Sequence, residues 1–380
     1  MDINAARKEI DEIDSGIVSL FERRMAASLE IADYKRQNNL PVLSRERERE
    51  IIAKVTAMSG ERLENYVKVL FSILFALSRN YQNGYLEEES GLGKKIEESL
   101  RNDNTLFPGK ATVACQGIEG AYSQQACERI FKTPNILYFN SFEGVFSAVE
   151  KGMCEYGVLP VENSSAGSVT QVYDLMEKHR FYIVRGMRHK IDHVLLGVNG
   201  CSFTNIKEVI SHPQGIMQCR CFLDKHPEIK VTTCENTAMA AKLVADRGRD
   251  DVAAIASKSC AGIYGLDVLK SDISNTESNF TRFIVISRGL EIYPGSNKIS
   301  ISLSLSHQPG ALYRLISSIA ALDLNLTKLE SRPVVGSDFE FRFHFDIEAS
   351  VTSPEVVRLL SEMQNNCEGF VFHGNYLESY

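Results

Sequence analysis

The sequence predicts a multidomain chain: an all-α segment, then an α/β domain, then an α+β domain in ferredoxin-like order. Three observations predict this. Apolar residues in the first 86 positions recur at helical spacing, with a seven-residue rhythm through Ile3, Ala6, Ile10, Ile13, Ile17, Leu20, Ala27, Ile31 and Tyr34 and with Arg24 standing in the same seam. From about residue 109 to 287, short apolar runs such as "ATVACQG", "FYIV", "HVLLGV" and "FIVIS" alternate with helical stretches. From residue 298 onward, strict alternation in "ISISLSLSH" opens a β-α-β-β-α-β order.

The helical segment, residues 1–90, reads as a long, a short and a long helix. "LPVLSRERERE" breaks the first helix at Pro41 and restarts it, with Ser44 as N-cap and carboxylates in the next turn. The third helix runs through Tyr66, Val67, Leu70, Phe71, Leu74, Leu77 and Tyr81. A unit this long and narrow needs a partner to bury its seam. Residues 91–108 are charged, Gly-containing and weakly periodic, and read as a linker with room for one helical turn or two. The α/β domain covers residues 109–288, where ligands are expected beyond the carboxyl ends of the strands. In residues 298–380, Phe339, Phe341, Phe343, Phe345 and Ile347 alternate with polar residues, and the helices "PGALYRLISSIAALD" and "SPEVVRLLSEMQ" flank that strand region.

Bulk composition narrows the function classes. With 44% hydrophobic and 24% charged residues, the chain is neither disordered, collagen-like nor a disulfide scaffold. Nine cysteines at irregular spacing fit reduced thiols. His212, Cys219 and Cys221 lie close together but lack a fourth ligand and paired C-x-x-C spacing, so no metal and no cofactor is expected. "MDINAARKEIDEID" lacks the apolar core of a signal peptide, and a cytoplasmic address is expected with no membrane partner. A net charge of −7 argues against nucleic acid and makes local Arg/Lys clusters the informative objects.

Such a cluster lies in the helical segment. Arg24 and Lys35 are three helical turns apart and project from nearly one face. Arg47 and Glu48 open the second helix, and Ser78 and Gln82 form an i, i+4 polar pair on the apolar stripe of the third. Each alone is compatible with snorkelling or a simple ion pair. Together they suit a small dicarboxylate, holding an extended molecule in one reactive conformer and stabilising charge on an ether oxygen without nucleophile or proton shuttle. "ARKEIDEID", "FERRM", "IADYKR" and "LPVLSRERERE" resemble the all-helical chorismate mutases. The resemblance implies rearrangement of chorismate to prephenate in an intertwined dimer, with Arg7, Arg24, Lys35, Arg47, Glu48 and Gln82 catalytic, Ser44 and Ser78 binding substrate, and Arg7 reaching the partner's site. Ser44 stands where that family commonly has Asp.

In the middle domain, "CQGIEGAYS", "PVENSSAGSV", "SHPQGIMQC" and "NFTRF" sit at strand ends. Any one of them reads as an ordinary turn or cap. Jointly, with "TAMAA" and "AAIAS", they resemble the prephenate dehydratases, whose fold is two-lobed and similar to periplasmic binding proteins. That family converts prephenate to phenylpyruvate. The resemblance implies Thr281 as the key catalytic residue, with Glu162, Asn163, Ser164, Ser211 and Gln218 lining the substrate pocket. Arg282 anchors either a substrate carboxylate or a structural acid. Asn236 stands where a small hydroxyl residue is common.

"QPGAL" and "LESRP" resemble the ACT regulatory domain that accompanies prephenate dehydratases. The resemblance implies phenylalanine binding between paired ACT domains and inhibition of the dehydratase, with Gly310, Ala311, Leu312, Asn325, Glu330, Ser331 and Arg332 as contacts. A fusion to a prephenate dehydrogenase would need a strand leading into G-x-G-x-x-G, and the "GLG" at 91–93 lies in the charged segment instead. A non-catalytic binding module with a sensor domain is the remaining alternative.

Overall fold

The computed structural model describes residues 3–38, 40–86, 91–102, 106–305, 308–334 and 341–379. In chain order the helices α1 (Ile3–Gln37), α2 (Arg45–Met58), α3 (Glu64–Leu86) and α4 (Gly91–Asn102) come first. Then follow β1 (Lys110–Gln116), α5 (Tyr122–Ile130), β2 (Thr133–Phe139), α6 (Phe142–Glu150), β3 (Tyr156–Asn163), the short β4 (Gly167–Ser168), α7 (Thr170–His179), β5 (Tyr182–Lys190) and β6 (His193–Val198). After these come β7 (Glu208–Ser211), α8 (Pro213–Gln218), α9 (Arg220–Leu223), β8 (Lys230–Thr233), α10 (Thr237–Arg247), β9 (Val252–Ser257), α11 (Ser259–Tyr264), β10 (Leu266–Lys270) and β11 (Phe280–Ser287). The chain closes with β12 (Lys298–Ser304), α12 (Ala311–Ala320), β13 (Asn325–Pro333), β14 (Phe341–Glu348), α13 (Pro354–Asn366) and β15 (Glu368–Ser379), the β-α-β-β-α-β order read from periodicity.

Residues 91–102 correct the expected linker. Leu92 and Ile96, four residues apart, are buried with Ser99, so one face of a three-turn helix is covered while its lysines and glutamates point outward. Residues 87–90 and 103–105 of that stretch, and Phe339, lie outside the described residues.

Contact clustering gives two compact units, Met1–Glu97 with Ile301–Val371, and Glu98–Ser300 with Phe372–Tyr380. In the first unit, α1 and α2 pack on α3, and so do α12 and α13. The helical core is thin. On α1 only Ser28 and Ala32 are buried, whereas Ile3, Ile10, Ile13, Ile17, Leu20 and Ile31 are each more than half exposed. The strands of this unit run in the order β13-β14-β12-β15, with β13 and β14 antiparallel.

The second unit has two sheets, each with its own core. One runs β15-β5-β11-β3-β1-β2, with Phe146, Leu159, Ile284 and Tyr376 among its fully buried side chains. The other runs β10-β6-β9-β7-β8 and packs Leu196, Ile210 and Ala254 against α10. All six residues of β9 are buried, as a central strand covered on both faces requires. The chain leaves the first lobe at the end of β5, enters the second at His193, and returns through residues 271–279 into β11. Both crossings end next to Thr281.

Candidate active sites

Helix geometry assembles the first polar cluster. Arg24 Nη1 donates to Ser78 Oγ and, at 3.3 Å, to the Leu74 carbonyl, and its guanidinium carbon lies 5.7 Å from the Phe75 ring centroid. Burial holds this guanidinium below its ordinary pKa. Lys35 Nζ donates to the Val42 carbonyl at 2.5 Å, across the break between α1 and α2. Burial is the main cause lowering the Lys35 pKa, while Glu48 raises it and Arg79 lowers it, so these three charges share one field. Arg79 ion-pairs with Glu48. Gln82, one turn beyond Ser78, is buried, and its Oε1 has no hydrogen-bond partner among the described residues. Arg24, Lys35 and Arg79 against Glu48 leave a net positive charge on this part of the bundle, which favours an anion.

The remaining expected members lie elsewhere. Arg47 is exposed and pairs with Glu50 at 2.9 Å. Ser44 stands at the N-cap position of α2, but its side chain makes no capping bond. Arg7 is exposed on α1, seventeen residues before Arg24 and hence about 25 Å away along the axis. Sequence reading missed Arg79. A cation directly after Ser78, inside the apolar run "FSILFALSR", was the available signal.

Strand register builds the second site. Thr281 on β11 is opposite Asn163 on β3 and His189 on β5, so the three side chains form a row on one face of the sheet. The next row, Glu162, Arg282 and Arg188, faces the other way. Asn163 Nδ2 donates to Thr281 Oγ1 at 2.9 Å and to Asn279 Oδ1 at 2.9 Å. Asn163 Oδ1 accepts the backbone N–H groups of Ser165 and Ala166, both at 3.0 Å. Those donors fix which end of the amide meets Thr281. Gln218, at the end of α8, donates from Nε2 to Ser165 Oγ at 2.9 Å and Asn163 Oδ1 at 3.3 Å.

Arg282 resolves into the structural option. Its Nε donates to Glu378 Oε1 at 2.5 Å and its Nη2 to Tyr376 Oη at 2.6 Å, with Lys298 Nζ on the other Glu378 oxygen at 2.5 Å. Burial raises the Glu378 pKa, but Arg282, Lys298 and Arg188 outweigh it and hold the carboxylate ionised. Glu162 lies 3.8 Å from Arg282, on that face rather than beside Thr281. Ser164 accepts from the Phe280 N–H at 2.9 Å and so pins the approach to Thr281. Ser211 is fully buried and donates to the Ile255 carbonyl at 2.7 Å, a bond inside the second lobe.

Four neighbours of this site escaped sequence reading. His189 is buried, and burial pushes its pKa down to about 4, with Arg129 acting in the same direction. His193 Nε2 meets Gln218 Oε1 at 2.9 Å. Tyr122, the first residue of α5, reaches His193 Nδ1 at 3.1 Å. Asn279 is buried with its Nδ2 unpartnered among the described residues. Tyr122 and Asn279 stand inside "CQGIEGAYS" and "NFTRF" and His193 opens "HVLLGV", but nothing in those strings marks them out from their neighbours, and only the fold brings them to one place with His189. Asn236 caps α10 by accepting from Met239 N at 2.8 Å, a bond that a small hydroxyl residue could also make.

In the C-terminal segment Gly310 has φ +78° and precedes α12, a left-handed conformation that favours glycine. Ala311 and Leu312 form the first turn of that helix. On β13, Glu330 and Arg332 share one face and pair at 3.4 Å, whereas Ser331 faces the other way. Asn325 donates to Glu348 at 2.7 Å. Among the described residues no cluster of three His, Cys, Asp or Glu could hold a metal, and no helix is long and apolar enough to cross a membrane.

Comparison with known proteins gives two family matches: chorismate mutase type II over residues 6–83 and prephenate dehydratase over residues 113–290. The bifunctional chorismate mutase/prephenate dehydratase of Escherichia coli K12 is 30% identical over 369 residues, covering 94% of this chain and 92% of its own. Among solved structures, GqqA, described as a quorum-quenching acylase, superposes with TM-score 0.64 at 30% identity over 70% of this chain and 98% of its own. The prephenate dehydratase of Arthrobacter aurescens in complex with L-Phe gives TM-score 0.64 at 26% identity, covering 70% of this chain and 89% of its own.

Proposed function

Because this chain belongs to the bifunctional chorismate mutase/prephenate dehydratase family and catalyses these two reactions of phenylalanine biosynthesis, we propose that its two polar clusters divide the chemistry between them. Residues 1–90 form the mutase, 109–288 the dehydratase and 298–380 an ACT regulatory domain, all of them in the cytoplasm.

The rearrangement of chorismate breaks one C–O bond and makes one C–C bond within a single molecule. Arg24 and Lys35 suit the substrate carboxylates and the ether oxygen, Gln82 and Ser78 add neutral donors, and Arg79 orients Glu48. The exposed seam of α1 supports a homodimer or larger homo-oligomer in which a second copy covers it and brings in Arg7. Arg47 and Ser44 join the site only through rearrangement around substrate or through that second copy.

Prephenate loses carbon dioxide and a ring hydroxyl together. The C–C bond to the carboxylate breaks, its electron pair enters the ring, and the C–O bond breaks to release hydroxide as the ring becomes aromatic. Such a reaction needs a positioned donor at the departing oxygen more than a strong base. The observation supporting Thr281 in that role is the Asn163 amide hydrogen bond to Oγ1, which leaves the threonine's own proton free to point at substrate. L-Phe bound by the Arthrobacter relative supports feedback inhibition here, with the helix start at Gly310, Ala311 and Leu312 as the contact, although the Ala311 N–H already donates to the Gln308 carbonyl at 3.1 Å.

Purified protein mixed with chorismate should form prephenate and then phenylpyruvate, and L-phenylalanine should slow the second step. Thr281→Ala should abolish phenylpyruvate while prephenate still accumulates at the wild-type rate. Phenylpyruvate formed at an unchanged rate by that variant would remove Thr281 from the mechanism.

A further inference from the structure

The side chains behind Thr281 form a chain of hydrogen bonds that all point the same way. Asn163 Oδ1 accepts two backbone N–H groups, so its Nδ2 must be the donor toward Thr281. Gln218 presents Nε2 to Asn163 Oδ1 and Ser165 Oγ, so its Oε1 must be the end facing His193. An amide oxygen only accepts, and His193 Nε2 therefore carries a hydrogen whether the ring is neutral or charged. Gln218 and Thr281 are each more than nine-tenths buried, and His193 is 2% exposed. Tyr122 closes the outer end, 3.1 Å from His193 Nδ1 and 2.6 Å from the Asp192 carbonyl.

We propose that His193 is a positioning residue for the dehydratase, acting through Gln218 and Asn163 to aim and polarise the Thr281 hydroxyl. Each group in such a chain donates more strongly because it accepts a bond from the group behind it. Occupying a lone pair of Oγ1 also removes the rotamers in which the threonine proton points back into the protein. His193, the histidine of "HVLLGV", opens β6, where the chain enters the second lobe, and Gln218 ends a helix of that lobe, whereas Asn163 and Thr281 belong to the first. Only when the lobes hold this relative position is the chain of bonds continuous, so it couples the lobe arrangement to the strength of the donor.

This inference rests on Thr281 being the donor to the leaving hydroxyl, and the tests separate the two. His193→Leu should lower dehydratase kcat about tenfold with KM within twofold of wild type, while mutase turnover, which His193 does not serve, stays unchanged. His193→Gln, which keeps a donor near the Nε2 position, should recover most of that loss. Nitrogen-15 NMR of wild-type protein should show His193 protonated at Nε2. Wild-type kcat in His193→Leu, an equal loss in His193→Gln, or a bare Nε2 would overturn the relay even where Thr281→Ala is inactive. Full activity in Thr281→Ala would instead remove the reading on which it rests.

Discussion

Two adjacent residues, Thr281 and Arg282, show what one step along a strand does. Because successive side chains face opposite sides of a sheet, the threonine joins Asn163 and His189 while the arginine turns to Glu378. The motif was legible in the sequence, but this division was not, since register with β3 and β5 decides it and neither strand is near in sequence. In the helical site, Arg24, Ser78 and Gln82 could be placed on helix faces by counting, because a helix fixes its own geometry. Arg79 could not, for its role depends on a partner from α2. Lys35, desolvated and within the field of Glu48, is the group proposed above to meet the charge that develops on the ether oxygen. Lys35→Ala should therefore lower mutase turnover at least about a hundredfold, as loss of a transition-state electrostatic contact does, with phenylpyruvate formation from added prephenate intact. Near-normal mutase turnover would remove Lys35 from the site.

Among the elements, α13 has a peculiarity at its inner face. Glu362 is 9% exposed, and its Oε2 has no hydrogen-bond partner among the described residues. Burial pushes its carboxyl up to about 7, against the lowering pull of Arg79 on α3. Between the ordinary carboxylate range and that value, the folded chain holds a proton the unfolded chain has released. Stability is thus fully present at low pH and falls as pH rises toward 7. Glu362→Gln should stabilise the first unit by up to about 3 kcal/mol at pH 8 and by little at pH 4.5, measured by urea unfolding at both values. An equal gain at both pH values would show that titration is not the cause. Periodicity made most elements readable, the alternating β12 and the amphipathic α12 above all. Helix α4 is longer than the one or two turns read from the sequence, because Gly91, Gly93 and a run of charge obscured a face only three residues wide, Leu92, Ile96 and Ser99.

For the molecule as a whole, the informative element is β15, whose residues 372–379 complete the sheet that carries Thr281. Gly374, with φ +139°, passes so close to β5 that a Cβ there would lie 2.3 Å from the Ile183 carbonyl. Glu378 then closes the pairing with Arg282 and Lys298. Removing one partner of a buried ion network leaves uncompensated charge, so Glu378→Gln should destabilise the dehydratase unit by about 3–5 kcal/mol. The denaturant midpoint for dehydratase activity should drop while that for mutase activity holds; a shared drop would mean the units unfold as one. Arg282 and Glu378 are also 96 residues apart in the chain. On a ribosome, β11 emerges with its cation exposed, and the whole segment from β12 to α13 must be made before the matching carboxylate exists. The first catalytic lobe therefore matures last although nearly all of it is synthesised early, and a stop codon a few residues upstream of Phe372 would leave it waiting for a strand that never arrives.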